Sequence, residues 1–140
     1  MEGKNLKELT AEASLDNVLT ITEFINEELE EARCPLKARL QIDIAIDEIV
    51  SNIAKYAYGG RSGKVKVTID ISSSPPGAEI TFTDSGVPFN PLAMKDPDVT
   101  LSSADRKIGG LGIFMVKKTM DEVLYEYKDG CNILTVRKEF

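Results

Sequence analysis

Two side chains capable of acid–base and metal chemistry, Glu48 and Asn52, lie four residues apart in the chain. In an α-helix this spacing places them side by side on one face. A carboxylate can polarise a hydroxyl group or a water molecule, and a neighbouring amide oxygen can hold a hard cation such as Mg²⁺. An ordinary solvent-exposed helix also carries such pairs, so the pair alone favours a structural interpretation.

A second candidate patch, Asp84-Ser85-Gly86, follows a stretch with the pattern of a β-strand. A carboxylate there can accept a strong hydrogen bond from an amine donor, and Gly86 leaves room for a flat ring to approach the backbone. The same residues also form ordinary Asx turns. This patch therefore indicates a binding site only in combination with other patches.

The third candidate patch is the glycine cluster Gly109-Gly110-Leu111-Gly112, which opens an apolar helix. Backbone amides at a helix start form a nest for anions, usually phosphate, although a flexible junction has the same composition. The sequence has no G-x-x-x-x-G-K-[ST] motif, and Met115 stands where a dinucleotide fingerprint needs its third glycine. Together the three patches supply the base, cation ligand, amine acceptor and phosphate nest that ATP-Mg²⁺ requires.

Glu48 and Asn52 belong to a helix predicted over residues 35–58. Four isoleucines recur there at helical spacing and must face a core. They are Ile42, Ile46, Ile49 and Ile53. The polar strip of Glu48 and Asn52 also contains Gln41 and Lys55, and a separate charged strip contains Arg39, Asp43 and Asp47. Two polar strips beside one apolar stripe indicate that one strip faces solvent and the other lines a site.

The remaining elements are predicted from periodicity, glycine and proline. Helices are expected over residues 14–32 and 113–120, and strands over 5–11, 64–72, 78–83, 122–128 and 131–139. Residues 90–107 lack periodicity, which is typical of a functional lid or of disorder. This order predicts one domain over residues 1–140 with an α/β fold. It is an α+β two-layer sandwich whose mainly antiparallel mixed sheet is covered on one face by about three helices.

Composition excludes several classes of function. The chain has 140 residues, 42% of them hydrophobic, and a net charge of −6, which argues against direct binding to nucleic acid or anionic membrane. It contains no histidine, which removes His-dependent triads and any phosphohistidine carried on this chain. Its first residues lack the apolar run of a signal peptide, and no stretch is long enough to span a membrane, so a cytoplasmic location is expected.

The three patches together resemble the boxes of a known superfamily. Residues 48–52 (E-x-x-x-N) are similar to the N box of the GHKL, or Bergerat-fold, ATPases and kinases. Residues 84–89 (D-x-G-x-P-F) resemble the first glycine box, and residues 109–113 (GGLGI) resemble the second. Their order and spacing agree over nearly the whole chain. The variant PFNP at residues 88–91, the small size and the closing hairpin are most similar to the anti-sigma factor serine/threonine kinase branch.

The resemblance implies a role for each matched residue. Glu48 would be the general base that activates a serine hydroxyl or a water, and Asn52 would ligate Mg²⁺ bridging the phosphates. Asp84 would accept a hydrogen bond from the adenine amino group, with Gly86 beneath the ring. Residues 90–107 would form the ATP lid.

Further nucleotide contacts come from the same resemblance. Gly110 and Gly112 would present amides to the phosphates, and Arg106 or Lys107 is the candidate for neutralising charge on the γ-phosphate. Asn132 or Thr135 would touch the adenine side. The other expected nucleotide-binding residues are Lys55, Tyr56, Pro88, Phe89, Gly109 and Leu111. Tyr56 departs from the pattern, since many members of this branch carry a basic residue or histidine there.

The resemblance thus implies an ATP- and Mg²⁺-dependent regulatory serine/threonine protein kinase that phosphorylates a small antagonist protein. The partners it implies are an anti-sigma factor antagonist-like protein, a sigma factor and a second copy in a homodimer. Two alternatives stay open. One is an ATP-sensing, partner-binding module without transferase activity, and the other is the ATP-binding half of a split phosphorelay.

Overall fold

A computed structural model describes residues 6–59, 61–93 and 110–140. Five strands and three α-helices are present in these ranges. In chain order they are β1 (Leu6–Glu12), α1 (Val18–Glu31), α2 (Leu36–Asn52), β2 (Lys64–Ser73), β3 (Pro76–Asp84), α3 (Gly110–Thr119), β4 (Glu122–Lys128) and β5 (Cys131–Glu139). Within the described ranges, no helix combines the length and the apolar character needed to cross a bilayer.

The five strands form one sheet in the order β1-β2-β3-β5-β4, and every pairing among them is antiparallel. Two of these pairs are hairpins, β2–β3 and β4–β5, and the second turns at Asp129-Gly130 as its sequence predicts. The pairing of β3 with β5 places Asp84 directly opposite Asn132. This register brings the end of β3 and the start of β5 together at one corner of the sheet.

One face of the sheet packs against the helices, because side chains alternate along each strand. The buried strand residues include Val65, Val67, Ile69, Ile80, Phe82, Leu134 and Val136. They meet α1 through Ile21, Ile25 and Leu29, and α2 through Ile42, Ile46 and Ile49. The predicted two-layer α/β fold is therefore confirmed. The sheet was predicted as mainly antiparallel and mixed, and all four pairings in the described residues are antiparallel.

Part of the charged strip on α2 faces α1 rather than open solvent. Asp43 accepts a 2.7 Å hydrogen bond from the Asn26 amide, and Arg39 Nε donates to Asn26 Oδ1 at 3.0 Å. Arg39 also forms a 2.9 Å ion pair with Glu30. These contacts fix the two helices against each other, whereas Asp47 is exposed.

The predicted helix over residues 35–58 changes its winding before it ends. After Asn52 the chain continues as a π-helix, Ile53–Ala57, and then reaches Gly59 with a φ of 58°. Wider turns of this kind recur at functional sites. Here the π-helix buries Ala57 and leaves Lys55 and Tyr56 exposed.

Candidate functional site

A small cavity lies between the end of α2 and the corner where β3, β5 and β4 meet. Its volume is about 30 Å³. The lining residues are Ile49, Asn52, Ile53, Ala57, Phe82, Asp84, Phe89, Pro91, Ile113, Tyr125, Asn132 and Leu134. The wall is thus mostly apolar with a few polar groups converging on it, which is the usual composition of a small-molecule site.

Asp84 is buried at the C-terminal end of β3, with 5% of its surface exposed. Its Oδ1 accepts two hydrogen bonds, from the Gly86 backbone N–H at 2.9 Å and from Asn132 Nδ2 at 2.9 Å. Among the described residues no donor reaches the other oxygen, Oδ2. A buried carboxylate oriented through one oxygen can accept a hydrogen bond from a ligand through the other.

Asn132 is the centre of the polar network in this corner. Its Nδ2 donates to Asp84 Oδ1 and, at 2.8 Å, to the Val87 carbonyl. Its Oδ1 accepts from the Phe89 N–H at 3.0 Å and from the Tyr125 hydroxyl. Asn132 therefore connects β3, β4 and the loop after β3 through one buried side chain.

Gly86 is required by the packing of the protein itself. A β-carbon at this position would lie 2.1 Å from the Ala57 carbonyl oxygen, far inside van der Waals contact. The next residue, Val87, donates its N–H to the same carbonyl at 2.7 Å. The loop after β3 is thus held against the π-helix, and glycine is the residue that permits this approach.

Glu48 and Asn52 are neighbours, as their spacing predicts. Asn52 Nδ2 donates to Glu48 Oε2 at 3.0 Å, and Asn52 is buried while Glu48 is half-buried. Burial raises the pKa of Glu48, and the hydrogen bond from Asn52 and the charge of Lys55 oppose that shift. A carboxylate with a raised pKa accepts a proton more readily than one in water, which suits a general base.

The second glycine box meets Glu48 at the start of α3. A β-carbon on Gly112 would lie 1.9 Å from Glu48 Oε1, so the carboxylate sits directly against this glycine. Gly110 and Leu111 form the first turn of α3, and helix N-termini favour negative charge. Gly109, which was predicted to bind the nucleotide, lies outside the described residues. So do Arg106 and Lys107, the two alternative candidates for the contact with the γ-phosphate.

Aromatic residues stand at the edge of the cavity. The rings of Tyr56 and Phe89 are 5.7 Å apart and inclined by 36°, and Phe89 lines the cavity. Tyr56 and Pro88 are exposed, as is Lys55. Tyr56 therefore packs against the first glycine box instead of presenting a cation toward the site.

The prediction of Thr135 as an adenine-side contact does not agree with its position. Thr135 lies between Leu134 and Val136, which are buried against the helices, and it points to the other face of the sheet. There its hydroxyl is 3.2 Å from the hydroxyl of Thr81. Of the two predicted alternatives, only Asn132 lines the cavity.

The sequence of the chain matches a family of ATPase domains. The profile of the histidine kinase-like ATPase domain matches residues 11–138, nearly the full chain. The chain belongs to this family. The histidine kinase-like ATPase domain was predicted from the three boxes, and its identification is confirmed.

Two curated relatives of this histidine kinase-like ATPase domain are named as kinases. The serine-protein kinase RsbW of Listeria monocytogenes is 26% identical over 100 residues, which cover 69% of this chain and 63% of that kinase. The serine/threonine-protein kinase BtrW of Bordetella bronchiseptica is 25% identical over 105 residues, 74% of this chain and 72% of BtrW. The chain thus spans a little under two thirds of the length of the Listeria relative.

A solved structure shares the fold. The structure of the RsbU and RsbW domains of a Mycobacterium tuberculosis protein superimposes with a TM-score of 0.67 and 17% identity, covering 95% of this chain and 32% of the mycobacterial chain. This likeness shows that the fold is shared. The two named kinases support the predicted serine/threonine kinase branch of the histidine kinase-like ATPase domains.

Tyr125 and the apolar wall of the cavity were not predicted as site residues. The burial of Asn132 can be predicted from the sequence, because Asn132 shares the alternating face of its strand with the apolar residues Leu134 and Val136. A buried amide must find hydrogen-bond partners. Tyr125 becomes its partner only through the register of the β4–β5 hairpin, where Tyr125 pairs with Leu134, two residues from Asn132.

Proposed function

We propose that this histidine kinase-like ATPase domain binds ATP with Mg²⁺ in the cavity and transfers the γ-phosphate to a serine or threonine hydroxyl of a partner protein. One observation carries the proposal. Asp84, an acceptor for an amine, and Asn52, an oxygen ligand adjoining a carboxylate, line the same cavity. Two side chains from different elements, one at the end of β3 and one at the end of α2, therefore face the same space.

The adenine ring is assigned to the Asp84 end of the cavity. Asp84 Oδ2 accepts from the exocyclic amino group, and apolar side chains such as Phe82, Ile53 and Leu134 contact the ring faces. Burial strengthens this hydrogen bond, because water does not compete for the carboxylate. The tilted pair of Tyr56 and Phe89 closes the edge of the site.

The donor set at Asn52 suits Mg²⁺. Asn52 is buried beside the cavity and its Nδ2 donates to Glu48, which leaves Oδ1 as the hard oxygen ligand. Magnesium sites with nucleotides commonly use one or two protein oxygens and complete their coordination with phosphates and water. When bound, Mg²⁺ supplies neutralisation of the phosphate charge.

Glu48 is assigned as the base that receives the proton of the attacking hydroxyl. Its pKa is raised by burial, and its carboxylate is held by Asn52. The hydroxyl oxygen of serine or threonine forms a bond to the γ-phosphorus, and its proton passes to Glu48. The bond between the γ-phosphorus and the oxygen bridging the β- and γ-phosphates breaks, and ADP leaves with that oxygen. The protein contributes mainly by positioning these groups.

The partner is proposed from the names of the relatives and from the predicted branch. We assign the acceptor to a small antagonist-like protein of the anti-sigma factor system, with a sigma factor and a second copy of this chain as further partners. The net charge of −6 fits a role that does not involve direct contact with nucleic acid.

A transfer assay tests the proposal. Small antagonist-like proteins encoded in the source genome are incubated with this protein and ATP labelled at the γ-phosphate. We expect a labelled serine or threonine with the wild type, and a loss of about a hundredfold or more with Glu48→Gln. ATP binding without labelling of any acceptor would favour an ATP-sensing module, and undiminished labelling by Glu48→Gln would remove Glu48 from the reaction.

A further inference from the structure

The polar corner of the cavity contains one residue whose hydrogen-bonding capacity is fully used within the protein. A neutral amide side chain offers two N–H donors and an oxygen with two lone pairs. In Asn132 the donors serve Asp84 and Val87, and the oxygen accepts from Phe89 and Tyr125. Asn132 is also buried, with 5% of its surface exposed. It therefore has no capacity left for a ligand.

The partners of Asn132 are the groups that determine how Asp84 is presented. An aspartate at a strand end can rotate about its side-chain torsions, so its free oxygen has no fixed direction without further contacts. Two donors hold Oδ1, the Gly86 N–H in the following loop and Asn132 Nδ2 on the neighbouring strand. Because both hold the same oxygen, they determine where Oδ2 points.

The same side chain also fixes the loop that carries the first glycine box. Asn132 bonds the backbone at Val87 and at Phe89, so both sides of exposed Pro88 are held at β5. Tyr125 on β4 completes the network from the opposite side. Burial raises the pKa of Tyr125, so its hydroxyl remains protonated and donates. Loss of Asn132 would free Asp84 and Phe89 together.

We propose that Asn132, supported by Tyr125, is a positioning residue for base recognition: it aims Asp84 Oδ2 at the exocyclic amino group of the ring without contacting the ligand. This inference rests on the proposed function, since it takes a purine nucleotide as the ligand. It assigns discrimination for a 6-amino purine to the pair of Asp84 and Asn132.

A comparison of two nucleotides separates positioning from a general structural effect. ATP and purine riboside triphosphate differ only in the 6-amino group, so the ratio of their affinities isolates the hydrogen bond to Asp84. For the wild type with Mg²⁺ we expect ATP to bind about tenfold or more tightly than the analogue. For Asn132→Ala we expect the ratio to fall to about one to three. Freeing Phe89 weakens the binding of both nucleotides, whereas misdirecting Asp84 weakens the binding of ATP alone.

Two further variants keep the test decisive. Tyr125→Phe removes one donor to Asn132 and should lower the ratio by about twofold to fourfold, even if Asn132→Ala fails to fold. Tyr127→Phe is its matched control. Tyr127 lies on β4, as Tyr125 does, and pairs with Asn132 on β5, but its side chain has no hydrogen bond within the described part of the chain. This variant should leave the ratio of the two affinities unchanged.

The outcomes distinguish this proposal from the proposed function. Equal weakening of both nucleotides by Asn132→Ala and Tyr125→Phe, or an unchanged ratio in both, would overturn the positioning role while ATP binding stands. Asp84→Asn should abolish the preference. A wild type that binds neither nucleotide at millimolar concentration would overturn the proposed function, and this inference with it.

Discussion

Gly112 lies directly against the carboxylate of Glu48, and a β-carbon there would be 1.9 Å from Oε1. The atom in the way is the end of a flexible side chain, which can rotate away at the cost of its hydrogen bond from Asn52, about 1 kcal/mol. Alanine also favours a helix over glycine by about 1 kcal/mol. We therefore expect Gly112→Ala to fold with unchanged or slightly higher stability and to displace the proposed base.

The measurement for Gly112→Ala combines urea unfolding with phosphoryl transfer. Transfer should fall by about tenfold or more, while the free energy of unfolding stays within about 1 kcal/mol of the wild type. Full activity in a folded Gly112→Ala protein would show that the position of the Glu48 carboxylate does not matter for the reaction.

Gly86→Ala should behave in the opposite way. Its β-carbon would meet the Ala57 carbonyl oxygen at 2.1 Å, and this backbone atom cannot move without disturbing the π-helix. We expect a loss of about 1–3 kcal/mol in the free energy of unfolding, measured by urea titration. Gly130→Ala is not a suitable control, because Gly130 has a φ of 78°, a left-handed backbone conformation in which alanine is itself strained. Gly112→Ala serves instead. Equal stability of the two alanine variants would contradict the contact with Ala57.

The raised pKa of Glu48 predicts a pH dependence of stability. A carboxyl group whose pKa is higher in the folded than in the unfolded state binds its proton more tightly when folded. Its contribution to stability is therefore fully present below the unfolded pKa and is lost as pH rises through the folded pKa. Glu48→Gln, which stays neutral, should raise the melting temperature relative to the wild type more at pH 8 than at pH 4.

Thermal unfolding at the two pH values checks this prediction. Glu27→Gln, which removes an exposed carboxylate on α1, controls for the loss of one negative charge. If Glu48→Gln raised the melting temperature more at pH 4 than at pH 8, the result would contradict a raised pKa of Glu48 in the folded protein. The same titration should be visible in the proposed phosphoryl transfer, whose rate should rise with pH as Glu48 loses its proton.

Tyr58 ties the end of the π-helix to the sheet. Its hydroxyl donates to the Lys64 carbonyl at 2.5 Å and accepts from the Ser85 N–H at 2.9 Å. Tyr58→Phe removes both bonds and should lower the free energy of unfolding by about 1 kcal/mol or more. Tyr127→Phe should have a smaller effect in the same denaturant titration. Similar losses for both would argue against the importance of this link.

Much of the fold and part of the site follow from local sequence pattern. The isoleucine spacing predicts the buried stripe of α2, and the distance of four residues predicts the contact of Glu48 with Asn52. Thr135 was assigned from the resemblance, although the alternation with Leu134 and Val136 already places it on the opposite face of the sheet.

Other features depend on contacts that no local pattern encodes. The approach of Gly86 to Ala57 requires the π-helix, and the sequence of residues 53–57 reads as ordinary α-helix. The bond of Tyr125 to Asn132 requires the register of β4 with β5. Tertiary pairing, rather than periodicity, decides these positions.

The central claim is that Asp84 recognises the base of ATP in this cavity, and calorimetric titration with ATP and Mg²⁺ tests it most directly. Wild type should bind, and folded Asp84→Asn should lose about tenfold or more in affinity because the charged acceptor is gone. Asp70→Asn, on β2 outside the cavity, should bind as the wild type does. No binding by the wild type at millimolar ATP, or equal affinity in folded Asp84→Asn, would contradict the account.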